Sequence, residues 1–120
     1  MAKTADKPSR ADRRKAREKE LIAVTRRLFD ERGMQDAPIE AIAREAGIAR
    51  GLIYRQFSSK EELFVVTVND YLSELGRELE AARAEGGTPV EQLRRGGYAF
   101  GGFCVRYPAF LDCALSLMRQ

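Results

Sequence analysis

The chain has 120 residues, of which 44% are hydrophobic and 32% charged, a composition typical of one globular domain rather than of a disordered or fibrous protein. It has no histidine, which excludes His-based catalytic triads and His metal sites. Its two cysteines are too few for a disulfide scaffold or a four-ligand zinc site. The formal net charge of the chain is +3.

This positive charge is concentrated in the first half of the chain. Residues 1–60 carry 15 Lys and Arg against 9 Asp and Glu, whereas residues 61–120 carry 6 against 9. Such an asymmetry is typical of a module that binds a polyanion, although ordinary solvated surface charge is the alternative. The longest uncharged stretch, residues 96–105, contains four glycines and is too short to span a bilayer. We therefore expect no membrane segment and, without an apolar leader behind Met1, a cytoplasmic protein.

The chain begins with a basic segment, and a helix follows it. We predict a flexible basic arm over residues 1–15, because residues 1–11 lack apolar periodicity. Apolar residues then recur at helical spacing between Leu21 and Phe29, and Gly33 ends that helix.

Two short helices are predicted next. One begins at Pro38 and ends at Gly47, and the other occupies residues 50–57 after the turn Gly47-Ile48-Ala49. Ile53 and Phe57 are four residues apart, so they share one face of the third helix and can pack on the first two.

Three more helices are predicted in the second half, and the fold class is all-α because no strand pattern occurs. Ser58 or Ser59 caps a long linking helix, residues 60–84. Thr88-Pro89 begins a fifth helix and Pro108 a sixth. The apolar positions expected to form their stripes are Phe64, Val68, Tyr71, Leu72, Leu75 and Leu79, then Val90, Leu93, Gly97, Phe100, Cys104 and Tyr107, then Phe110, Leu111, Ala114, Leu115 and Met118.

The segment 38–57 has the pattern of a helix-turn-helix motif, in which a tight turn joins two short helices at a steep angle. The second of them is polar on its exposed face, which suits the major groove of double-stranded DNA. Unrelated all-α cores also contain helix pairs with a Gly turn, but the basic arm and the charge asymmetry favour DNA binding.

The candidate DNA-binding residues lie on and just after the third helix. Arg50 can reach guanine O6 and N7 or a phosphate, and Leu52 can touch a thymine methyl group. Gly51 lets the backbone approach closely. Tyr54 and Lys60 can bind phosphates on one side of the helix, and Arg55 on the other.

The order of motifs resembles the TetR-type repressors. The matching stretches are Leu28-Phe29 to Gly33, Ile42 to Ile48, and Gly51 to Leu63, within a similarity over about residues 17–70. The resemblance implies a three-helix DNA-binding head over residues 16–62 and a helical domain over residues 63–120 that binds a small apolar effector and dimerises.

Three positions depart from the family pattern. Ala37 stands where a capping Thr is usual, and Ala49 replaces the Ser cap of the recognition helix. Gln56 replaces the usual His and can still donate to a phosphate, so we also count it among the DNA-binding residues. The resemblance further implies that the chain covers only the start of the second domain, and that the helices of the dimer interface are missing.

Aromatic residues crowd the fifth and sixth helices. In the family layout they imply an effector pocket, whereas helical spacing alone is typical of core packing. The candidate pocket residues are Phe100, Phe103, Cys104, Tyr107 and Phe110.

The expected function is a sequence-specific DNA-binding transcriptional regulator, a repressor released by a small-molecule effector. The alternative is a truncated, non-regulatory interaction fragment with exposed apolar helices, including an uncovered face of Phe110, Leu111, Leu115 and Met118. We expect no enzyme activity, no metal and no cofactor, because the chain has no activated nucleophile motif and no Gly-rich phosphate loop.

Overall fold

The computed structural model describes residue 7, residues 9–33 and residues 38–119. Throughout this part of the chain the fold is all-α, as predicted, with six helices and no strand. The helices are α1 (Arg10–Arg32), α2 (Ile39–Ala46), α3 (Arg50–Gln56), α4 (Lys60–Ala84), α5 (Pro89–Arg106) and α6 (Pro108–Met118). The predicted features at residues 1–6, at Pro8 and at Ala37 lie outside the described residues.

α1 begins earlier than the sequence pattern indicates. The Ser9 hydroxyl accepts a hydrogen bond from the Asp12 backbone N–H at 3.1 Å, and the Asp12 carboxylate accepts one from the Ser9 N–H at 3.2 Å. This capping box satisfies two backbone donors and starts the helix at Arg10. The prediction of a flexible arm is therefore wrong for residues 10–15, whose polar side chains face solvent and so show no apolar periodicity.

The first three helices and the start of α4 enclose one apolar core, and we call this unit the head. Every helix contributes side chains that are almost completely buried. They include Leu21, Leu28, Phe29, Ile42, Ile53, Phe57 and Leu63. Ile53 and Phe57 thus pack as predicted, on one face of α3.

α4, α5 and α6 form the second half of the molecule. The chain reverses between α4 and α5 at Gly86 and Gly87, whose φ angles of 78° and 93° favour glycine. α6 returns to the head, where Ala109 and Cys113 join its core. The predicted stripe of α4 is correct at Tyr71 but wrong at Leu72, which is 47% exposed.

The predicted apolar stripe of α5 is largely uncovered. Phe103, which the stripe omitted, is the buried residue of this helix, whereas Val90 and Leu93 are exposed, the latter by 78%. Periodicity identifies an apolar face but does not show whether another element covers it. On α6 the prediction of an uncovered face is correct for Leu111, Leu115 and Met118 and wrong for Phe110, which is buried.

Candidate nucleic-acid interface

The turn between α2 and α3 fixes the direction in which α3 leaves the head. Gly47 is left-handed, with φ 69° and ψ 30°, and the Ile48 N–H donates to the Ala43 carbonyl at 3.0 Å. This arrangement ends α2 and satisfies its last carbonyls. Because Ile53 and Phe57 are buried in the head, the opposite side of α3 faces solvent.

We call this solvent side of α3 the recognition face, formed by Arg50, Gly51, Tyr54 and Arg55, all of which are exposed. The Arg50 guanidinium forms an ion pair with Glu40 of α2, with 3.0 Å between Nη1 and Oε1. It also lies 5.8 Å from the centre of the Tyr54 ring. The structure therefore places four of the seven predicted DNA-binding residues together on one accessible face.

The other three predicted DNA-binding residues lie at the edges of α3. Leu52 is partly buried beside α1, and Gln56 Nε2 donates a hydrogen bond to the Arg14 carbonyl at 3.3 Å. Lys60 begins α4, and its ammonium lies 5.2 Å from the centre of the Phe64 ring. Gln56 thus already holds α1 with part of its donor capacity, a contact that the sequence analysis did not predict.

A second basic feature, which we call the arginine cleft, lies between the start of α1 and α3. Its cationic residues are Arg10, Arg13, Arg14, Arg17 and Arg55, and Leu52 and Gln56 complete the wall toward α3. None of the described residues that line it is acidic. Sequence reasoning missed this cleft because it assigned Arg10, Arg13 and Arg14 to a flexible arm and did not predict that the start of α1 lies beside α3. The spacing of Ser9 and Asp12 was the available signal, since it fits a capping box.

Four of the five candidate pocket residues come together in the second half. Phe103, Tyr107 and Phe110 surround Tyr71 of α4, and we call these four rings the aromatic cluster. The Phe103 and Phe110 ring centres are 5.2 Å apart at an interplanar angle of 89°, a favourable edge-to-face contact. Cys104 packs beside the cluster, whereas Phe100 is 41% exposed and lies outside it.

Polar groups connect the aromatic cluster to α1. The Arg26 guanidinium lies between the Tyr71 and Tyr107 rings, 4.1 and 4.5 Å from their centres, and binds Asp70 at 2.9 Å and Glu74 at 3.1 Å. Burial opposes its positive charge, but the two carboxylates outweigh burial and raise the pKa of Arg26.

Asp30 connects α1 to both α4 and α6. One of its carboxylate oxygens accepts a hydrogen bond from the Tyr71 hydroxyl at 3.1 Å, and the other accepts one from the Ala109 N–H at 3.0 Å. Burial raises the pKa of Tyr71, and the adjacent Asp30 carboxylate raises it further. Tyr71 therefore remains a neutral hydrogen-bond donor at this junction.

The packed three-helix core and the exposed polar third helix define a helix-turn-helix head. Comparison with known proteins agrees with this class: residues 21–66 match the family model of bacterial regulatory proteins of the tetR family. These residues are therefore a TetR-family domain, as the sequence motifs indicated.

Curated relatives extend this similarity along the chain. A region of 77 residues is 38% identical to the HTH-type transcriptional regulator BetI of Brucella canis, covering 64% of this chain and 39% of that protein. The BetI of Stenotrophomonas maltophilia is 35% identical over 79 residues, covering 65% and 40% of the two chains. The chain thus spans about two fifths of the length of these relatives.

A solved structure is similar over most of the chain. It is a TetR-like transcriptional regulator from Rhodococcus sp. RHA1, with a TM-score of 0.70 and 28% identity. The match covers 89% of this chain and 56% of that one. The similarity therefore includes the head and continues into the helices of the second half.

Among the described residues, no helix combines the length and apolar character that a bilayer span requires. The Cys, Asp and Glu side chains of the same residues form no group of three or more that could hold a metal ion.

Proposed function

We propose that this chain acts in a transcriptional regulator as its sequence-specific reader of double-stranded DNA. α3 enters the major groove, with Arg50 directed at a base edge and Tyr54 at a phosphate. The observation that carries the proposal is the recognition face itself, which is polar and exposed on a helix whose other side is fixed in the core. The similarity to the TetR family supports the same role.

The remaining candidate residues complete this proposed interface. Arg55 and Lys60 bind phosphates on either side of α3, Leu52 contacts a thymine methyl group, and Gly51 permits close approach. Gln56 can bind a phosphate with the N–H that remains beyond its bond to Arg14. A chain that reads chromosomal DNA in this way works in the cytoplasm, without a cofactor and without a catalytic step.

The proposed regulation is repression that a small apolar effector releases. The effector would contact Phe100, Phe103, Cys104, Tyr107 and Phe110 in the second half, the domain that we place over residues 63–120. Support comes from the polar contacts of Arg26 and Asp30, which join the aromatic cluster to the head. In the complete regulator a homodimer would place two heads on a palindromic operator. The comparisons do not favour the alternative of a non-regulatory interaction fragment.

The experiment that tests DNA reading selects bound sequences from random duplex and then measures affinity for the selected duplex. Arg50→Ala should weaken binding to it by about 1–3 kcal/mol and should weaken binding to random duplex less. Arg32→Ala is the matched control, since Arg32 is an exposed arginine at the opposite end of α1 from the contact with Gln56. Equal losses in the two variants, or no enriched sequence, would contradict the proposal.

A further inference from the structure

We propose that the arginine cleft binds the DNA backbone, and that it holds the phosphates next to the groove that α3 reads. The inference rests on the proposed function and extends it from the helix-turn-helix to the first two turns of α1. These turns precede the region that matches the family model, which begins at residue 21.

The geometry of α1 carries the first step. Arg10, Arg13, Arg14 and Arg17 follow the helical spacing i, i+3, i+4 and i+7, so their side chains share one side of the helix. The capping box at Ser9 and Asp12 orders the helix from its first turn. The backbone that carries the arginines is thus ordered before DNA binds, so binding avoids the conformational entropy cost of ordering a flexible arm.

The contact with α3 carries the second step. Gln56 at the end of α3 donates to the Arg14 carbonyl, and Leu52 packs toward the same side of α1. Arg55 of α3 lines the cleft as well. The cleft and the recognition face are consequently parts of one rigid unit, so a duplex that docks on α3 passes the cleft at a fixed distance. Gln56 acts here as a positioning residue.

The charges carry the third step. Five arginines line the cleft, and within the described residues no carboxylate forms an ion pair with any of them. Arginine binds phosphate through two parallel N–H donors, and the mutual repulsion of five cations is relieved by a polyanion. The cleft is open and continuous with α3. It therefore suits the extended phosphate backbone of DNA better than a small anion, which would need an enclosed pocket.

A pair of double variants with equal charge tests the proposal. Arg13→Ala/Arg17→Ala removes two cations from the cleft, whereas Lys15→Ala/Lys19→Ala removes two from the other side of the same helix. Circular dichroism and thermal melting first establish that both variants keep the wild-type fold. Affinity for the selected duplex is then measured from low to moderate salt.

We expect the arginine variant to reduce the slope of log affinity against log salt by about 2, since each lost phosphate contact reduces it by about 0.9. Its affinity at low salt should fall roughly tenfold or more on both selected and random duplex. The lysine variant should change the slope much less. Neutral methylphosphonates placed beside the selected site should reproduce the loss in the wild type and add nothing in the arginine variant.

Three results would contradict the proposals, and they are distinguishable. Equal slopes for the two double variants, with wild-type selection intact, would reject the cleft and leave the proposed function standing. Loss of sequence preference in the arginine variant alone would mean that these residues read bases instead of phosphates. A wild-type chain that binds duplex without any preferred sequence would reject the proposed function.

Discussion

The head and α5 differ in whether their apolar residues are buried. In the head, Leu28, Phe29 and Ile42 are each exposed by 1% or less, and helices from four parts of the chain enclose them. In α5, Val90 and Leu93 have equally apolar side chains, yet both are exposed. The head is thus a complete unit of packing, while α5 presents an apolar face to solvent. The proposed DNA-binding residues belong to the first of these two regions or adjoin it.

The contacts that join the head to the second half of the molecule are polar as well as apolar. Arg26 binds two carboxylates of α4, and Asp30 accepts hydrogen bonds from Tyr71 and from the first turn of α6. Buried polar groups are costly when they lose their partners. A rearrangement of α5 and α6 would therefore disturb the polar contacts of α1, the helix that also carries the arginine cleft.

The largest expected contrast comes from truncating one leucine in each region. Leu28→Ala should lower the free energy of unfolding by about 2–5 kcal/mol, because it leaves a cavity in the closed core of the head. Leu93→Ala should change it by no more than about 0.5 kcal/mol, because that side chain is already in solvent. Urea denaturation followed by circular dichroism measures both. Comparable losses would mean that α5 is covered in solution.

The order and ends of the helices were predictable because their signals are local. Gly47 ends α2 and Pro108 begins α6 through the backbone preferences of these residues, and Ser59 caps α4 through its own hydroxyl. The first turns of α1 were missed because a solvent-facing helix has no apolar pattern. The exposure of the apolar stripe of α5 was missed because burial depends on elements distant in sequence.

The candidate site was predictable only in part for the same reason. Arg50–Gln56 form one short helix, so the recognition face followed from periodicity around Ile53. The arginine cleft, in contrast, joins residues about 40 positions apart, and the Gln56 hydrogen bond to Arg14 is its only direct polar link among the described residues. The Asp30 contact to Tyr71 also spans 41 positions. A single sequence does not encode such pairs in its local pattern.

A smaller difference is expected between substitutions of two tyrosines, Tyr71 at the contact of α1 with α4 and α6, and Tyr54 on the recognition face. Tyr71→Phe removes a buried hydroxyl and leaves an Asp30 oxygen without its donor, so unfolding should become easier by about 1–2 kcal/mol. Tyr54→Phe removes an exposed hydroxyl, so stability should stay unchanged while affinity falls alike on selected and random duplex. Thermal denaturation and a mobility-shift titration of both variants would test this, and interchanged effects would contradict it.

The smallest expected effect concerns the acid stability of the same junction. Burial opposes ionisation of Glu74, but its contacts with Tyr107 and Arg26 outweigh burial and hold the pKa of Glu74 below its ordinary 4.5. A carboxyl group whose pKa is lower in the folded state than in the unfolded state stabilises the fold at pH values above its unfolded-state pKa. This stabilisation disappears as the pH falls through the folded-state pKa. Glu74→Gln should therefore be less stable than the wild type at pH 7 and should lose less stability on acidification below pH 4.5.

The control is Glu85→Gln, which makes the same charge change at an exposed position after α4. Its free energy of unfolding, measured against pH, should follow that of the wild type. Parallel acid limbs for the wild type and Glu74→Gln would show that Arg26 stabilises the junction through its aromatic contacts rather than through this carboxylate.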